Sequence, residues 1–110
     1  MKLSKKKIAK NVKEIQRNID HYKVSGRMAD IMLDLGYEGF EFVGHGMDLT
    51  TGKEDFSFNQ KISPNLTVTV STNRKKILNV LLSDKNDDII LDMKNLDNLM
   101  SVLFAIDELL

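Results

Sequence analysis

The sequence predicts an α+β fold of order α-α-β-β-β-β-β-α: two N-terminal helices, a five-stranded antiparallel sheet in meander order, and an apolar C-terminal helix packed on one sheet face. Three observations predict it. Near both ends of the chain, apolar residues recur at spacings of three and four, the mark of a single helix face. Between the ends, apolar and polar residues alternate, the mark of a strand with one buried side. The connections are short, which favours antiparallel neighbours. The chain has 110 residues, of which 42% are hydrophobic and 29% charged. That suits one domain over 1–110, because two halves would each be too small to bury a stable core.

The first helix is expected over 4–22, where Ile8, Val12, Ile15, Ile19 and Tyr22 form one stripe. Ser4 is placed to cap it. The three lysines that follow, Lys5, Lys6 and Lys7, oppose the helix dipole at that end. Ser25-Gly26 breaks the chain. A second helix then runs from about Arg27 to Leu35, with Met28, Ile31, Met32 and Leu35 inward and Gly36 as its left-handed C-terminal cap.

The period then changes. Phe40 and Phe42 alternate with Glu41 and Val43 as a short strand. Residues 44–55 carry Gly44, Gly46 and Gly52 and read as a loop or loose hairpin. Phe56, Phe58, Gln60 and Ile62 alternate with polar residues, and Ser63-Pro64-Asn65 turns the chain. Leu66, Val68 and Val70 alternate with Thr67, Thr69 and Ser71. A turn at 71–74 leads to the run from Ile77 to Leu82, apolar on nearly both sides, and a turn at 84–87 leads to Ile89-Ile90-Leu91. The last helix is expected from about Leu96 to Leu109. Its stripe of Leu96, Leu99, Met100, Leu103 and Ile106 is widened by Phe104 and Leu109. That is more apolar surface than one seam needs, so Met100, Phe104 and Leu109 are candidates for an apolar interface.

Several function classes find no support in the residues. There is no Cys, so neither a disulfide framework nor a thiolate metal site can form. No apolar run approaches the length of a membrane span, and no apolar signal core follows the charged N-terminus. A cytoplasmic protein is expected. Gly-rich phosphate loops and nucleophile elbows are absent from the sequence. His45, between Gly44 and Gly46, has Asp34 and Asp48 as conceivable carboxylate partners, but it reads as an exposed loop histidine. The Asp84-x-Asn86-x-Asp88 spacing lacks a calcium loop's glycine at the sixth position and glutamate at the twelfth, and reads as a turn. No catalytic residue, metal or cofactor is expected, and the chain is not read as an enzyme.

Charge supplies the remaining signal. Net charge is zero, yet residues 1–27 hold nine basic groups against two acidic ones, and residues 84–110 hold seven acidic groups against two basic ones. Lys6, Lys10, Lys13 and Arg17 each lie two residues before an apolar stripe position, about 200° round the helix. They therefore form a ridge opposite the core. Such a ridge suits an acidic protein surface or a phosphate backbone, although no aromatic side chain interleaves it for base stacking. The reading is a small non-enzymatic accessory protein of phage or mobile-element type, acting by contact with another protein or with a second copy of itself. The alternative is a nucleic-acid-binding module using the ridge.

Overall fold

The computed structural model describes residues 4–84 and the backbone of 88–90. Helix α1 spans Lys5–Tyr22 and α2 spans Gly26–Tyr37; the strands are β1 Glu41–Met47, β2 Glu54–Ser63, β3 Leu66–Thr72, β4 Ile77–Ser83 and β5 Asp88–Ile90. The sheet runs in the order β1-β2-β3-β4-β5, with each strand antiparallel to its neighbour in sequence. The α+β class, the two helices and the antiparallel meander agree with the sequence. The fifth strand is only a three-residue ladder, from Ser83 opposite Asp88 to Leu81 opposite Ile90. The C-terminal helix, with Met100, Phe104 and Leu109, lies outside the described residues. No helix among the described residues is long and apolar enough to cross a membrane.

Helix α1 starts as its sequence requires, with the Ser4 hydroxyl accepting from the Lys7 amide at 3.2 Å. Its buried face is rotated from the expected stripe. Asn11, Ile15 and Ile19 are buried, while Ile8 and Val12 are half-buried. The helix closes on Lys23, which adopts a left-handed φ of 57°. The Val24 amide donates back to the Ile19 carbonyl at 3.0 Å, which satisfies an otherwise orphaned acceptor.

Helix α2 corrects the role read for Gly36. That residue is inside the helix, and the left-handed closure falls at Gly39, with φ 104°. The Gly39 amide donates to the Gly36 carbonyl at 3.0 Å and the Phe40 amide to the Leu35 carbonyl at 2.9 Å. Leu35 and Phe40 are both fully buried, the apolar contact that commonly accompanies this closure. Gly36 is small for another reason. A Cβ there would lie 2.8 Å from Ile15 Cδ1 and 3.1 Å from Val12 Cγ2, so its bareness is what lets α2 approach α1.

The helices cover one face of the sheet. Phe56, Phe58, Val68, Val70, Ile77 and Val80 are buried in a core shared with Ile15, Met28, Met32 and Leu35. Ser57, Asn59, Thr67, Thr69 and Ser71 point to the other face and stay part-exposed. Three register shifts interrupt the alternation, at Val43, near Ile62 and at Leu78. The segment 44–55, expected as a loop or loose hairpin, is a hairpin: β1 continues to Met47 and β2 starts at Glu54, with a turn between them. The expected turn at 71–74 begins later, since β3 runs through Thr72.

Candidate functional site

The bulge at Val43 decides where His45 points. Phe42 sits opposite Phe58, but beyond the extra residue Gly44 sits opposite Ser57 and His45 opposite Phe56. Under strict alternation His45 would face away from the side that Phe42 takes. The inserted residue turns it back toward the helices. There the imidazole stacks on Tyr22, the last residue of α1, with ring centres 4.2 Å apart, and lies 4.8 Å from the Phe56 ring.

Glu54 opens β2 two residues before Phe56 and therefore shares its face. Its Oε2 lies 2.8 Å from His45 Nε2. An ionised carboxylate can only accept, so the imidazole donates there. The other carboxylate oxygen accepts from Arg74 Nε. Arg74 is presented by the turn between β3 and β4. In that turn the Asn73 side chain accepts from the amides of Lys75 and Lys76 at 2.7 and 2.8 Å. The same guanidinium donates to the Lys23 carbonyl at 3.3 Å and lies over the Phe56 ring at 5.8 Å. Tyr22, Lys23, His45, Glu54, Phe56 and Arg74 thus join the end of α1 to the β1–β2 and β3–β4 ends of the sheet.

The electrostatics follow from these contacts. The side chains of His45 and Glu54 are 14% and 11% exposed, and that of Arg74 is 43% exposed. Hydrogen bonding from His45, then from Arg74, holds the Glu54 carboxyl below the usual glutamate range, against the opposing effect of burial. The carboxylates conceivable as partners of His45 were Asp34 and Asp48; the structure supplies Glu54 instead. Asp48 is committed elsewhere, accepting from the amides of Thr50 and Thr51 at 2.8 and 3.3 Å, which lowers its pKa. His45 itself is not the exposed loop residue that its flanking glycines suggested. Among the described residues, no group of three His, Cys, Asp or Glu side chains could hold a metal ion.

Lys6, Lys10, Lys13 and Arg17 all lie on the exposed face of α1, opposite Ile15, as their spacing requires. Arg17 pairs with Glu14 at 3.2 Å, so the ridge is less cationic than its basic residues alone suggest. It is separate from the His45–Glu54–Arg74 cluster. Met100, Phe104 and Leu109 lie outside the described residues.

A second surface was not read from the sequence. Strand β1 is an edge of the sheet, and among the described residues nothing pairs with its outer side. Two of the chain's large exposed apolar side chains lie on it, Val43 at 55% and Met47 at 53% exposure, and Leu49 follows in the turn at 91%. Tyr37, 63% exposed, ends the helix that leads into it. No protein-family model matches the chain, and no curated protein or solved structure matches it.

Proposed function

We propose that the protein acts by binding another protein, without catalysing a reaction, and that β1 receives a strand from its partner. The observation that carries this reading is the outer edge of β1, unpaired among the described residues, with Val43, Met47 and Leu49 exposed along it. An edge strand presents unpaired backbone donors and acceptors, and folds that must stay single generally protect such edges with charge or cover. Here apolar side chains line it, the combination used in β-strand addition: backbone bonds give affinity and side chains give selectivity. In the same proposal the C-terminal segment forms the apolar helix read from the sequence, beyond a fifth strand that completes the sheet. Met100, Phe104 and Leu109 then give the partner a further contact.

The test is a comparison of variants. Val43→Lys places a charge on the edge with little expected effect on a residue so exposed. A partner captured from the native host should be lost with Val43→Lys and retained with Lys10→Glu. If the partner is a second copy, light scattering over a concentration series should show a dimer that Val43→Lys disrupts. Capture or dimerisation that survives Val43→Lys defeats the reading.

A second reading has one observation of its own. Among the described residues, Lys6, Lys10 and Lys13 make no ion pair, although they stand on one exposed helix face. That leaves them free to neutralise phosphates, with binding that weakens steeply as salt rises. Retained nucleic-acid binding in a Lys10→Glu, Lys13→Glu variant would exclude the ridge as its site.

A further inference from the structure

The two turns at the cluster end of the sheet flank an open cleft of about 460 Å³, lined by Lys53, Glu54, Asn73, Arg74, Lys75 and Leu78, with Gly52 beside them. Its size lies in the range of small-molecule sites. Its charge is unbalanced. Three cations, Lys53, Arg74 and Lys75, face one carboxylate, and both oxygens of that carboxylate are already bonded, one to His45 and one to Arg74.

We propose that this cleft binds a phosphate group, with Lys53 and Lys75 supplying charge from opposite walls and Arg74 supplying a fixed donor between them.

Arg74 is held in place before any ligand arrives. Glu54, the Lys23 carbonyl and the Phe56 ring restrain it on three sides. Three of its N–H groups are occupied by these bonds, and a guanidinium has five, so one N–H on each terminal nitrogen remains. A planar donor already fixed in orientation loses little entropy on meeting a tetrahedral oxyanion.

The walls are also built. On the β1–β2 side, the Asp48 amide donates to the Lys53 carbonyl at 2.8 Å and the Gly52 amide to the Asp48 carbonyl at 2.7 Å. On the β3–β4 side, Asn73 anchors the amides of Lys75 and Lys76, and its own amide donates to the Lys76 carbonyl at 2.9 Å. The lysine backbones are thereby positioned while their side chains remain free to close on a ligand. Leu78 supplies an apolar patch that fits the organic portion of a phosphoester. The site is distinct from the ridge on α1 and from the β1 edge, so it stands or falls independently of both.

The experiment follows backbone amide resonances of the whole chain in two titrations at low ionic strength, one with inorganic pyrophosphate and one with a short single-stranded oligonucleotide. Shifts concentrated at 50–53 and 73–76 are expected. The Lys53→Ala, Lys75→Ala double variant should weaken binding at least about tenfold, a loss of about 1.4 kcal/mol or more. Lys10→Glu should leave it unchanged. Binding of pyrophosphate identifies a free phosphate or diphosphate group as the source; binding of the oligonucleotide alone, through the same lysines, identifies a nucleic-acid backbone. The proposal fails if neither ligand shifts the two turns. It also fails if binding survives the double alanine variant or is lost with Lys10→Glu.

Discussion

Glu54 couples the stability of this protein to pH. Its folded pKa lies below the unfolded value because His45 and Arg74 donate to its ionised form. The resulting stabilisation is complete above the usual glutamate range and is lost as pH falls through the lowered folded value. Glu54→Gln keeps the shape and removes the charge. It should cost about 1–3 kcal/mol at neutral pH, because two donors lose an ionised acceptor. The gap from the parent protein should narrow in acid, as urea unfolding across a pH series would show; a constant gap would mean that charge is not the cause. Thr72 makes the opposite case. Its side chain is fully buried, and its hydroxyl has no hydrogen-bond partner among the described residues. Thr72→Val keeps the shape and removes the orphaned group, so stability should rise by about 1 kcal/mol in the same assay. Neither residue could be singled out from the sequence. Glu54 lies nine positions from His45 and twenty from Arg74, and only the folded chain brings the three together.

Among the described residues, the two helices and the strands were largely readable, because one buried face imposes a period on the sequence. The failures fall where something other than period controls a position. The glycines flanking His45 left a loop and a loose hairpin both open; both glycines lie in β1 of a hairpin, and the bulge between Phe42 and Gly44 breaks the alternation that would have decided it. The buried Asn11 gives no apolar signal at all, so the buried face of α1 is wider on that side than the stripe through Ile15 and Ile19 indicated. Gly36 resembled a cap because it follows Leu35, but its function is contact between helices. Gly36→Ala weighs two effects: a gain of about 1 kcal/mol in helix propensity and an overpacking penalty of about 1–3 kcal/mol. Ile15, the nearer neighbour, is 1% exposed and has little room to withdraw. A net loss of about 1 kcal/mol is expected by thermal or urea unfolding. A gain would show that the helices separate easily.

The molecule divides its surface by character. Cations stand on the outer face of α1 and around the cleft between the turns, while apolar side chains stand along β1. The charge asymmetry along the chain was visible in the sequence, but not that Lys53, Arg74 and Lys75 meet, because that depends on two turns arriving at one end of the sheet. Nor was the exposed edge visible, since Val43 looks like an ordinary strand residue and Met47 like part of a loop or loose hairpin until the strand order is known. Ionic strength should therefore separate the surfaces in binding measurements. Contacts at the cations weaken with salt, and contacts at the β1 edge do not.

Every described strand pairs with its neighbour in sequence, while the guanidinium of Arg74 reaches the Lys23 carbonyl across 51 positions. Loop closure makes the short-range hairpins the easier contacts to form first, so this long-range brace belongs late in the folding reaction. Arg74→Ala should then accelerate unfolding while leaving the refolding rate nearly unchanged in stopped-flow measurements. On that account Arg74 acts as a latch: it sets how long the native state persists once formed, and has little influence on how quickly the chain finds it.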